Sequence, residues 1–166
     1  MIEQMLKSLI LFTVMSSLSL ACQTAACWNK PGAKVYKEIE QEWSVNDQLA
    51  KKHFASLSFD EQITVALYAR RCPDDPRIMP LLEVGGEEKI PTIVNRIETE
   101  PLFFEKGQLV LSLIGINRRC KCISSDPEII RRLESIAESS YGGSRKSDSY
   151  VKLYNDHVIA LKHQFR

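Results

Sequence analysis

Arg118-Arg119-Cys120-Lys121-Cys122 is the stretch of this sequence best equipped for chemistry. Neighbouring cations stabilise a thiolate and make either sulfur more reactive. Two cysteines one residue apart can also hold a soft metal or exchange disulfides. A metal site needs about four ligands, however, and only Cys27, Cys72 or a distant histidine could complete one here. No metal site and no cofactor is therefore expected. His53, His157 and His163 sit in polar or amphipathic helical contexts and read as surface or packing residues. Zinc-protease HExxH, nucleophile-elbow GxSxG, phosphate-loop and dinucleotide glycine patterns are all missing from the text. No catalytic residue is assigned, and a non-enzymatic role is expected.

The cysteines also bear on compartment. Ser8 to Ala21 is uncharged and apolar after Lys7, too short to span a bilayer comfortably and suited to a signal-peptide core. Residues 1–21 are read as that signal, 22–33 as a tether and 34–166 as one helical domain. Leu18-Ser19-Leu20-Ala21-Cys22 resembles a bacterial lipobox, with Ser19 where the pattern prefers Leu. The resemblance implies diacylation of Cys22, with Gln23 after it compatible with outer-membrane sorting. Ordinary cleavage after Ala21 or Ala26 is the competing outcome. Either route leaves Cys27, Cys72, Cys120 and Cys122, which in an oxidising periplasm read as two disulfides. A bridge across one residue is strained, so Cys27 and Cys72 are each expected to reach one member of the Cys120/Cys122 pair. The anticipated location is the periplasm, with membrane contact only through a lipid on Cys22.

Size and charge set the outer limits. A chain of 166 residues is one domain by the usual prior. Its 22 Lys and Arg nearly balance 21 Asp and Glu, and the basic pairs are interspersed with acids. That excludes the concentrated basic excess of a nucleic-acid binder.

Helices must position whatever these residues do. Lys34 to Trp43 reads as a helix, and a short second one runs to Phe54 with Ser44 as its cap. Ser58-Phe59-Asp60-Glu61 is a capping box that starts a helix reaching Arg71. Asp75-Pro76 and Asp126-Pro127 both read as a cap followed by proline at the first helical position. Ile90, Ile93, Val94 and Ile97 give the clearest helical periodicity, with Pro91 harmless in the first turn. Leu102 to Asn117 is apolar nearly all round and is read as a buried central helix, although it also suits a buried strand. Ser139 to Ser149 reads as a loop. A last amphipathic helix from Tyr150 to Gln164 turns Val151, Tyr154, Val158 and Leu161 inward. Trp28, Trp43, Phe103 and Phe104 are read as core. The fold class expected is all-α, built from stacked antiparallel helix hairpins.

Asp75-Pro76-x-Ile78-x-x-x-Leu82 is echoed by Asp126-Pro127-x-Ile129-x-x-x-Leu133. The run Asp126-Pro127-Glu128-Ile129-Ile130-Arg131 resembles the Asp-Pro-x-Val-Arg opening of a HEAT-repeat helix, with Arg131 one place late, and Met79-Pro80 departs from it in the first copy. The resemblance covers about Ser58 to Ser140. It implies a short solenoid that presents a surface to a partner. The expectation that follows is a helical adaptor or inhibitor, of the kind that includes immunity proteins, binding another envelope protein. A thiol redox or metal-handling protein using Cys120 and Cys122 is the alternative.

Overall fold

The computed structural model describes residues 27, 29–84, 86–139 and 145–164, with side chains from 149 onward in the last segment. The leader 1–21, Cys22, Gln23, Ala26, Trp28, Gly85 and residues 141–144 of the segment read as a loop lie outside the described residues. Among the described residues every regular element is helical: α1 (Ala33–Val45), α2 (Asp47–Ser56), α3 (Phe59–Arg71), α4 (Met79–Leu82), a 3-10 turn (Glu87–Lys89), α5 (Ile90–Thr99), α6 (Phe103–Cys120), α7 (Pro127–Glu138) and α8 (Arg145–His163). The all-α class read from periodicity is the fold found.

α6 is the hub. It packs most extensively on α8 and also touches α3, α4 and α5. Its residues Leu109, Val110, Leu113 and Ile116 are buried, so the helix reading of Leu102–Asn117 holds over the strand reading. Each buried aliphatic side chain of this kind stabilises the fold by about 1.5–3 kcal/mol. α6 and α8 run side by side in the same sense, because their contacts climb together. Phe103 meets Tyr154 edge-on at 5.6 Å, and Asn117 Nδ2 donates to Gln164 Oε1 at 2.9 Å. α7 makes the return between them, with Leu133 carbonyl accepting from Tyr154 Oη at 2.9 Å. The inward residues Val151, Tyr154, Val158 and Leu161 are all buried, as are Ile90, Ile93, Val94 and Ile97 of α5.

Local signals decide most boundaries. Ser58 and Glu61 close a reciprocal capping box at the start of α3, as the spacing predicts. Asp126 Oδ1 accepts from the amides of Glu128 and Ile129 at 2.9 and 3.2 Å and caps α7. Three expectations need correction. Asn46, not Ser44, caps α2, accepting from Gln48 N at 2.8 Å, while Ser44 Oγ donates back into α1 at Gln41. Asp75-Pro76 opens no helix. Asp75 is buried and its carboxylate takes the Arg77 amide (3.0 Å), the Arg77 guanidinium (2.7 Å) and Tyr36 Oη (2.9 Å), which leaves nothing for a cap. The chain turns there instead, and α4 is a single turn beginning at Met79. Finally, α8 starts at Arg145, inside the segment read as a loop to Ser149.

The stretch expected to be a tether is pinned where it is described. Cys27 is bridged to Cys72 at the end of α3. Gly32, at φ 85°, lies so close to α3 that a β-carbon would come within 2.9 Å of the Thr64 carbonyl oxygen. Only glycine satisfies both the left-handed backbone and that approach.

Candidate functional site

The cysteine pair sits where α6 ends. Asn117 is fully buried, and its Oδ1 accepts from the amides of Ile123 and Ser124 at 2.9 and 3.1 Å. Lys121 adopts the left-handed conformation (φ 57°) and reverses the chain after Cys120. That reversal brings the two sulfurs together, and Cys120 is bridged to Cys122. The expected connectivity is therefore overturned: Cys27 pairs with Cys72, and the pair at the tip closes on itself. The physical reason is the left-handed Lys121, which turns Cys122 back toward the helix end, a conformation that residue spacing does not announce.

Around the bridge lie charges of both signs. Arg118 and Arg119 are exposed, and a Glu87 carboxylate oxygen lies within 4.8 Å of both sulfurs. Two sulfurs held in a bridge and one carboxylate fall short of the about four ligands that a metal site needs. Glu83 lies beneath. Its carboxylate rests against Gly115, where a β-carbon would fall 2.0 Å from it, and it pairs with Arg119 at 3.6 Å. Burial pushes the Glu83 carboxyl above its ordinary pKa, with Arg119 and Arg118 pulling it back.

A second cluster was not foreseen. Glu100 and Glu105, both buried, line an open cavity of about 200 Å³ with Lys30, Tyr68, Arg71 and Arg96. Arg71 pairs with Glu105 at 3.0 Å and Arg96 with Glu100 at 3.3 Å. Burial raises the Glu105 carboxyl to about 7, helped by its hydrogen bond to Glu100 and the Glu100 charge, with Arg71 opposing.

A third feature is a shallow groove of about 210 Å³ between α3, α4 and α6. Pro76, Met79, Pro80 and Leu111 line it, Leu111 being exposed among buried neighbours on α6. At its floor Ser112 is buried and its Oγ has no hydrogen-bond partner.

The remaining sequence candidates are structural. His53 pairs with Glu42 at 2.9 Å, and half-buried His157 packs over Gly107. Trp43 is half-buried beneath the Arg77 guanidinium at 4.6 Å, and Phe103 and Phe104 stack edge-on against Tyr154 and Tyr150. Among the described residues no helix is long and apolar enough to cross a membrane. No protein-family model, no curated protein and no solved structure matches the chain.

Proposed function

We propose that this chain is a non-enzymatic, helical protein-binding module of the bacterial envelope, acting as an adaptor or inhibitor on another envelope protein. The observation that carries this reading is Ser112. A buried hydroxyl without a partner costs about 1–3 kcal/mol, a cost that a bound partner would relieve; His157 Nδ1 is a second such atom, away from the groove. The Ser112 groove would take a short segment of a partner protein. Pro76, Met79, Pro80 and Leu111 would take apolar side chains, and the two prolines offer no amide donors to compete. Arg70 and Glu83 at the edges already hold Gln108 (3.2 Å) and Arg119 (3.6 Å). Ser112 Oγ is the polar atom left without a partner, and because it is buried an incoming segment would reach it with a backbone amide or carbonyl only as the groove opens. The envelope setting rests on the apolar leader and on Leu18–Cys22, with a diacylated Cys22 as the anchor.

The test compares co-purification of tagged full-length protein from its own envelope with that of two variants. Leu111→Arg should lose the bound protein, and Ile159→Arg, on an exposed position of α8, should keep it. Both must melt like the parent. Equal loss in the two variants, or no bound protein in the parent, would overturn the reading. The same preparation, weighed intact, reports whether Cys22 carries the lipid.

A further inference from the structure

The turn that carries the Cys120–Cys122 bridge is held together without it. Asn117 grips the amides of Ile123 and Ser124, and Ile123 itself is fully buried. Ser125 Oγ donates to the Lys121 and Cys122 carbonyls at 3.1 and 3.0 Å, and the Asp126 amide reaches the Ile123 carbonyl at 3.0 Å. None of these contacts passes through sulfur. The bridge also restrains the unfolded chain very little, because it closes over a single residue. Loop-closure entropy assigns it on the order of 1–2 kcal/mol.

A bridge of small structural consequence, at a helix end and only half-buried, is open to a different use. Arg118 and Arg119, exposed just before Cys120 in the chain, favour an approaching thiolate, against the Glu87 carboxylate within 4.8 Å of both sulfurs and with Arg119 also paired to Glu83. The Cys122 backbone amide lies 3.2 Å from Cys120 Sγ and donates to it, so negative charge released on that sulfur is met by a fixed hydrogen bond. We propose that Cys120–Cys122 is a thiol–disulfide exchange site, opened and closed by a dithiol on another protein while the fold stays intact.

The chemistry balances with that dithiol as reductant. One of its thiolates attacks Cys122 Sγ, and the sulfur–sulfur bond breaks with its electron pair passing to Cys120 Sγ. The dithiol's second thiolate then attacks its own sulfur in the mixed disulfide and releases Cys122 as a thiolate. Two electrons move from the dithiol to the bridge. The two protons the dithiol sheds end on Cys120 and Cys122, and the reductant leaves as a disulfide. Run backward, a partner disulfide closes the bridge again.

The test uses the oxidised full chain under native conditions with dithiothreitol as the dithiol, alkylation at timed points and mass mapping of each cysteine. Cys120 and Cys122 should become alkylated at least about ten-fold sooner than Cys27 and Cys72, with the helical circular dichroism unchanged. Oxidised glutathione should then reclose the bridge. The variant Cys120→Ser/Cys122→Ser should keep the parental helical signal and cooperative melt. Reduction of both bridges at one rate, reduction of the tip only after helix is lost, or a double variant that does not fold would each overturn the proposal.

Discussion

Opening Cys27–Cys72 releases a loop with a sequence separation of 45, whereas opening Cys120–Cys122 releases one lysine. The first ties the amino-terminal turn to the end of α3, against which Gly32 is also pressed. The second decorates a turn that Asn117 already holds. What differs is where the alternative contacts are. At the tip, backbone and side-chain hydrogen bonds duplicate the work of the sulfurs. At the amino-terminal end, among the described residues, Cys27 is backed by a short turn, from Lys30 N to the Cys27 carbonyl at 3.1 Å. One bridge is a fastening and the other is available for use.

The sharpest way to break that comparison is to remove each bridge in turn. Cys27→Ala/Cys72→Ala should lower unfolding free energy by about 4 kcal/mol, from loop closure alone. Cys120→Ser/Cys122→Ser should lower it by no more than about 1–2 kcal/mol on the same scale. Urea unfolding of the two double variants beside the parent decides it. Equal losses would mean that the tip is as dependent on sulfur as the amino-terminal end.

The carboxyl pair beside the amino-terminal fastening predicts a pH dependence. Lys30 and Pro31 wall the cavity of Glu100 and Glu105, so the staple also sets this environment. Glu105 holds its proton up to about pH 7 in the fold, against an ordinary value of 4.5 when unfolded. The folded state binds the extra proton more tightly, so this contribution is complete below about pH 4.5. It is lost as pH rises through about 7, on the order of 1–3 kcal/mol in all. Urea midpoints between pH 4.5 and 8 should therefore fall in the parent and stay flatter in Glu105→Gln. A parent profile as flat as the variant's would show that burial does not raise the Glu105 carboxyl.

How much of this was legible depended on how local each device is. The capping box at Ser58–Glu61 and the α5 face of Ile90, Ile93, Val94 and Ile97 lie within a few residues, and the sequence pattern locates both. Asp126-Pro127 behaves the same way. Asp75-Pro76 looks identical on the page, but its carboxylate is taken by Arg77, two residues on, and by Tyr36, distant in sequence, and no short window contains the second competitor. The disulfide pairing failed for a related reason, since one left-handed residue at Lys121 decides it. Glu87, Ser112 and the Glu100–Glu105 pair become noticeable only when α6 is packed against its neighbours. Two glutamates five apart across a helix start were the one available hint, and it is a common spacing.

Ser112→Ala probes the groove with a smaller effect. Removing a buried hydroxyl that has no partner should raise stability by about 1 kcal/mol, since the desolvation cost disappears with the group. If the melt instead falls by that amount, Ser112 has a partner within the free protein, and the observation behind the docking reading goes with it.

The smallest effect belongs to the tip. Gly115→Ala places a methyl where the Glu83 carboxylate now lies, 2.0 Å from its carbon. The clash is with the end of a flexible side chain, so Glu83 swings away rather than α6 moving. Helix propensity gains about 1 kcal/mol from the exchange, and the lost Arg119 pairing, half exposed, returns a few tenths. Stability should change by less than about 1 kcal/mol, while the Glu83 carboxyl, freed from burial, falls back toward its ordinary pKa in an NMR titration. With Glu83 displaced, the native reduction rate of Cys120–Cys122 should still exceed that of Cys27–Cys72. A tip that loses its selectivity when only Glu83 moves would owe its behaviour to that buried carboxyl, not to the Asn117 latch.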